Sequence, residues 1–195
     1  MIAINNCSAA YGWRNISGGQ YWAQMTSCGD AKDIEIGNGR LALINSCNGG
    51  YISDTGYSWT QILSCGDAKA IAIGETGRMM IINGTNTAYI YNPGQGVWVA
   101  KTNTGDAQKI AIGKDRIMVV TSGGAAWGAD IGQDNLAALT QLTANGDATA
   151  VTTGAHDRMG IINSAGAAYA SDTIVQGGSW TPGSGGGDGK MFVVG

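Results

Sequence analysis

Five aspartates recur in one local setting: Gly29-Asp30, Gly66-Asp67, Gly105-Asp106, Gly146-Asp147 and Gly187-Asp188. Gathered around one axis, such carboxylates could bind a cation. Taken singly, each Gly-Asp suits a tight turn in which the aspartate side chain caps backbone amides, and this is the simpler account. Five aromatics also recur, Tyr11, Tyr51, Tyr89, Trp127 and Tyr169, each after a small residue. They could stack on sugar rings, one per repeat, or pack into a core as strand-end aromatics. Groups for proton transfer are scarce. His156 is the sole histidine, with no cysteine or serine placed by the repeat to act as its nucleophile, so a solvated turn is expected for it. The two glutamates, Glu35 and Glu75, stand at unrelated repeat positions. No catalytic set, metal ligand set or cofactor motif emerges, and an enzyme is not expected.

The four cysteines, Cys7, Cys28, Cys47 and Cys65, match no CxxC zinc spacing. Cys7 and Cys47 share one repeat position and Cys28 and Cys65 another. Repeat inheritance therefore accounts for them without a disulfide or a metal.

The elements that must hold these residues follow from the repeat, whose period is roughly 40 residues. After each Gly-Asp comes a short apolar run ending in glycine: Ile34 to Gly37, Ile71 to Gly74, Ile110 to Gly113, Val151 to Gly154 and Phe192 to Gly195. Arg40, Arg78, Arg116 or Arg158 opens a second run, which ends at Ile44-Asn45, Ile82-Asn83, Val120-Thr121 or Ile162-Asn163. A turn, the small residue and the aromatic follow, and then Trp22, Trp59, Trp98, Leu139 or Trp180 before the next Gly-Asp. Each unit reads as four strands of about five residues separated by Gly- and Asn-containing turns. In the first strand Ile alternates with Glu35, Ala72 or Ala111, as an innermost strand near a crowded axis requires. The second run is apolar throughout and is expected to be buried on both faces.

The order of strands at the two ends is informative. Ile4-Asn5 and Ala10-Tyr11 match the second and third strands, whereas Lys190 to Gly195 match a first strand. Pairing of the C-terminal strand with the N-terminal strands would complete one sheet and close a ring. The expectation is an all-β, five-bladed β-propeller of four-stranded antiparallel blades forming one domain over 1–195. Its blades would be 188–195 plus 1–28, 29–65, 66–104, 105–145 and 146–187.

Composition agrees: 33 glycines, 44% hydrophobic and 13% charged residues suit short strands and tight turns. A net charge of −3 with scattered Lys and Arg offers no field for phosphate backbones, so nucleic acid is not an expected partner. No long apolar stretch predicts membrane insertion, and Met1 to Ala10 lacks the pattern of a secretory signal.

The stretch Asp54-Thr55-Gly56-Tyr57-Ser58-Trp59 lies between the third and fourth strands of its unit. It resembles the Asp-box of bacterial-neuraminidase-type (sialidase) repeats, with Ile52 where the usual leading Ser or Thr would stand. The resemblance implies a folding element: Asp54 accepting turn amides, Gly56 at positive φ and Trp59 anchoring the hairpin. Weaker copies are Asn92-Pro93-Gly94 with Trp98, and Asp172 with Gly177-Gly178-Ser179-Trp180. Sialidase chemistry is not implied, because the arginines take equivalent places in different units and would be spread around a ring. In blade number and repeat size the chain is also similar to tachylectin-type five-bladed lectins, a likeness that transfers no binding residues.

Function that is not five-fold must lie in departures from the repeat. Trp13 and Arg14 replace a small residue and an Asp or Asn, and Asp130 to Ala138 enlarges the fourth unit's hairpin. The expected function is a non-catalytic, lectin-like binding or adhesion module that recognises glycans or a host surface. Tyr11, Trp13, Arg14, Tyr51, Tyr89, Trp127 and Tyr169 are the candidate contacts. The alternative is a structural, decoration or receptor-binding component of a virus particle such as a phage, partnered by other virion or cell-surface proteins.

Overall fold

The computed structural model describes residues 1–16, 19–92, 96–131, 138–174 and 179–183. Strands fall into five antiparallel sheets. The first contains β1 (Ile2–Ile4), β2 (Ala10–Ile16) and β3 (Gly19–Gln24). The second contains β4 (Ala31–Gly37), β5 (Arg40–Asn45), β6 (Gly50–Ser53) and β7 (Thr60–Leu63), and the third β8 (Ala68–Ile73), β9 (Met79–Asn83), β10 (Ala88–Asn92) and β11 (Val97–Ala100). The fourth is built from β12 (Ala107–Ile112), β13 (Arg116–Thr121), β14 (Ala126–Asp130) and β15 (Thr140–Gln141), and the fifth from β16 (Ala148–Thr153), β17 (Met159–Asn163), β18 (Ala168–Ser171) and β19 (Thr181–Pro182). Within each sheet, strands pair in chain order, so every blade is a meander. The strand expected to complete the first sheet, Lys190 to Gly195, lies outside the described residues.

Turn chemistry explains the recurring Ile-Asn. The Asn5 carboxamide oxygen accepts the amides of Cys7 and Ala9, at 3.1 and 3.0 Å, and Asn83 repeats this with Thr85 and Thr87. Asn45 and Asn163 hold the amides of Gly49 and Ala167 in the same way. The residue three after each asparagine, Ser8, Asn48, Asn86 or Gly166, carries positive φ. The Gly-Asp units are turns as well: Asp30, Asp67, Asp106 and Asp147 each donate their amide to the carbonyl three residues earlier, after a glycine at φ between 82 and 90°. They sit in separate turns, one per blade. Among the described residues the side-chain hydrogen bond of these aspartates is the one that Asp106 accepts from the Ser122 hydroxyl at 3.4 Å, not an amide cap.

The core lies between blades. Leu41–Ile44, Met79–Ile82 and Ile117–Val120 are buried at every position, because their strands are covered on both faces. Ala42 and Ile44 of β5 pack with Ile71 and Ile73 of β8, and Met80 and Ile82 of β9 pack with Ile110 and Ile112 of β12. Met118 and Val120 of β13 meet Val151, Met159 and Ile161 in the same manner. Ile2 and Ile4 of β1 meet Ile34, Leu41 and Leu43, which places β1 against β4 just as β5 lies against β8. Each fully buried side chain of this size contributes about 1.5–3 kcal/mol of transfer free energy.

Cysteine pairing corrects the sequence reading. Cys7 is bonded to Cys28 and Cys47 to Cys65, with Cα atoms 5.1 Å apart in both. The two positions in a blade are held side by side by the backbone: Gly29 donates to the Cys7 carbonyl and Gly66 to that of Cys47. Blades three and four make the same bond, from Gly105 to Thr85 and from Gly146 to Gly123, without cysteines. Proximity is thus a property of these four blades, and two cysteines at those positions are brought into bonding reach.

Candidate functional site

The clearest concave site lies where the first blade meets the second. Gln24 to Ser27 at the end of β3, Asp30 in the following turn, Leu43 and Asn45 of β5, Tyr51 of β6 and Trp59 ahead of β7 line a cavity of about 570 Å³. Its floor is apolar, with Met25 and Leu43 buried, and its rim carries the polar groups of Gln24, Ser27, Asp30 and Asn45. The Trp59 indole donates to the Met25 carbonyl across the junction at 3.3 Å, which fixes the ring as a wall. An apolar floor with a few fixed polar groups is the usual composition of a ligand pocket.

The junction of the third and fourth blades repeats this site. Ala100 to Asn103, Asp106, Thr121, Trp127, Ala138 and Leu139 line a cavity of about 550 Å³. By repeat position Thr102 stands for Thr26, Asp106 for Asp30, Trp127 for Tyr51 and Leu139 for Trp59. The threonines have one job in both: their hydroxyls accept the amides of Ala10 and Ala88 at 2.9 Å, and Thr143 does so for Ala126. This contact explains the small residue before each aromatic, since Ala10, Ala88 and Ala126 are fully buried beneath the crossing strand. At the junction of the second and third blades the aliphatic Leu63 stands in place of that threonine, and Leu63, Ile62, Tyr89 and Trp98 all pack against the buried cluster that includes Ala42, Ile44 and Ile71.

The five repeated aromatics therefore differ in role. Tyr51 and Trp127 line cavities, Tyr89 and Tyr169 lie half-buried against inter-blade clusters, and the Tyr11 hydroxyl donates to Gln24 at 3.3 Å. Trp13 and Arg14 are in β2, opposite Trp22 and Tyr21. Their side chains, and most of the hairpin from Asp130 to Ala138, lie outside the described residues. His156 is exposed, in a 3₁₀ turn (Ala155–Asp157) where it takes φ of 59°. Among the described residues no three His, Cys, Asp or Glu side chains gather to hold a metal ion.

The Asp54 turn departs from what its resemblance implied. Gly56 has positive φ, but the amides of Thr55 and Gly56 go to the buried Ser53 hydroxyl, at 3.2 and 2.7 Å, and those of Tyr57 and Ser58 to Thr55. Asp54 instead faces across the strands to Arg40, at 2.7 Å. The same pair, always 14 residues apart, recurs as Arg116 with Asp130 and Arg158 with Asp172. Strand alternation is the reason: Ser53 points into the blade while its neighbour points out. The guanidinium hydrogen bond holds the Asp54 and Asp172 carboxyls below the usual carboxylate range. The constant spacing is visible in the sequence itself.

Near the axis, Asp33 and Glu35 occupy the inner-strand positions that are Ala70 and Ala72 in the next blade. Loss of hydration pushes both carboxyls up, with the Asp33 charge adding to the rise at Glu35.

Solved structures share this arrangement. Human WBSCR16 matches with a TM-score of 0.59 at 11% identity, over 78% of this chain and 51% of that one. Prp20p from Saccharomyces cerevisiae matches with 0.60 at 14%, over 83% and 53%. YCF48 bound to D1 peptide matches with 0.59 at 17%, over 93% and 63%. The fold is a β-propeller. The chain spans about half to two thirds of the length of these structures. No protein-family model matches the sequence, and no curated protein does. At such identities the likeness concerns fold alone.

Proposed function

We propose that this propeller is a non-catalytic recognition module whose ligands seat in the aromatic-walled pockets between blades. The observation that carries this reading is recurrence: cavities of nearly equal volume occupy the same repeat position at two junctions, walled by Tyr51 with Trp59 and by Trp127 with Leu139. Flat aromatic faces beside fixed amide, hydroxyl and carboxylate groups suit the apolar face and hydroxyl edge of a sugar ring. Two equivalent weak sites on one rigid body gain avidity on a multivalent glycan surface. The two disulfides favour work outside a reducing compartment, as at a cell or particle surface. The lectin likeness supports this reading through the fold only.

A glycan array probed with the whole chain tests it. Hits should weaken in Tyr51→Ala and in Trp127→Ala, and fall further in the double variant. An array without hits overturns the glycan reading.

A second reading, recognition of a protein or peptide, is favoured by the comparison structures, one of which is YCF48 bound to D1 peptide and another yeast RCC1 bound to Kap60. Peptide display against the whole chain separates it from the first. A part in a virus particle rests on composition and would show as neighbouring genes for capsid or tail proteins.

A further inference from the structure

At the end of the second strand opposite the aromatic pockets, two arginines of the repeat, Arg78 and Arg116, reach across to the next blade. Arg116 bonds its own Asp130 at 2.8 Å and also donates across the junction to the carbonyls of Asp157 and Asp172, at 2.8 and 3.0 Å. The Asp157 carboxylate enters the same junction and accepts the Asp115 amide at 2.8 Å. Arg78 likewise donates to the Ile131 carbonyl at 3.2 Å, with Asp115 at 3.6 Å. A carboxylate from the following blade therefore stands at both of these junctions.

The junction of the second and third blades lacks one. The position of Asp157 is held there by Gly77, which shares its positive φ, 78° against 59°. A cavity of about 240 Å³ takes the place of the carboxylate, lined by Asn38, Arg40, Asp54, Thr76, Gly77 and Arg78. Arg40 uses Nε and Nη2 on Asp54, and among the described residues no partner stands on its Nη1. Arg78, whose side chain is only 12% exposed, uses Nη1, and no described partner stands on Nε or Nη2. Both guanidinium groups border the cavity, as does the Asp54 carboxylate that Arg40 holds. Arg40 and Asn45 are at opposite ends of β5, which sets this cavity roughly 16 Å from the aromatic pocket by strand rise.

We propose that the Arg40–Arg78 cavity is a carboxylate-binding subsite, in which an external carboxylate on a small molecule or acidic sugar takes the position toward Arg40 that Asp115 takes toward Arg78 at the next junction. Planar guanidinium donors from two blades match the two oxygens of a carboxylate, and burial of Arg78 strengthens the contact. The site is independent of the aromatic pockets.

The test is titration of the full chain with D-glucuronate, with D-glucose as the neutral control, while the arginine Nε–Hε signals are followed by NMR. Signals of Arg40 and Arg78 should move along one saturating curve with glucuronate and stay still with glucose. Arg116 and Arg158 should not move. Gly77→Asp provides the carboxylate from within and should weaken glucuronate binding at least about tenfold. Arg78→Gln should weaken it comparably. Equal movement of all four arginines, no saturation, or unchanged binding in Gly77→Asp would overturn the proposal. Sulfate binding as tightly as glucuronate at the same two arginines would overturn the carboxylate assignment. If either variant fails to fold by circular dichroism, the native titration with its Arg116 and Arg158 controls still decides.

Discussion

Gly37 and Gly74 end neighbouring inner strands so closely that a Cβ on Gly37 would lie 2.5 Å from the Gly74 carbonyl oxygen. Gly74 meets the Gly113 carbonyl in the same way. The glycine that closes these first strands is thus a contact between blades, required because the strands converge toward an axis. Gly37→Ala should cost about 1–3 kcal/mol by overpacking. Gly123→Ala, whose added methyl finds its nearest atoms at 3.6 Å, should cost far less. Urea unfolding of the two variants checks the contrast.

Each disulfide closes a loop of about 20 residues, of sequence separation 21 and 18, and should stabilise by about 3 kcal/mol. Cys47→Ser with Cys65→Ser should lower the unfolding free energy by that amount and leave the sheet intact, because the Gly66–Cys47 backbone bond persists. Thr85→Cys with Thr104→Cys should form a third bridge in the next blade, where Gly105 makes the equivalent bond at 2.9 Å. Mass spectrometry under non-reducing conditions reads the outcome.

Protonation should act with opposite signs at two places. Asp33 and Glu35 have raised carboxyls, so their ionisation opposes folding; the penalty is absent below the ordinary carboxylate range and grows as pH rises toward their folded values. Asp33→Asn with Glu35→Gln should be more stable than the parent at neutral pH and equal to it in strong acid. Asp54 and Asp172 are lowered, so their contribution is present above the ordinary range and is lost as pH falls through the depressed value. Asp54→Asn should be less stable at neutral pH, by a small and salt-sensitive margin because the pair is exposed. Thermal melts across pH test both signs.

Among the described residues β1 is the edge of a three-stranded sheet, and Ile36 of β4 is 48% exposed where its counterparts Ile73 and Ile112 are 8% and 6% exposed. Such an edge invites a strand. Removal of Lys190 to Gly195 should lower the melting temperature sharply if that segment completes the sheet. An unchanged melt would sink the closed ring.

Much of the fold was legible in order along the chain. Four strands per unit, turns at Asn and Gly-Asp, the buried second strand and the glycine after the first all rest on residues within a few positions of one another. Strand alternation and turn chemistry act at that range, so consecutive residues determine them. What only the tertiary structure decided depends on how strands and blades meet. The pairing of Cys7 with Cys28, the turn of Asp54 away from its own loop toward Arg40, and the choice of Tyr51 and Trp127 as pocket walls follow from distances between segments that sequence spacing does not state. Whether a repeated aromatic packs or borders a cavity depends on the side chains that the neighbouring blade presents, Thr26 beside Tyr51 and Leu63 in the cluster that Tyr89 joins.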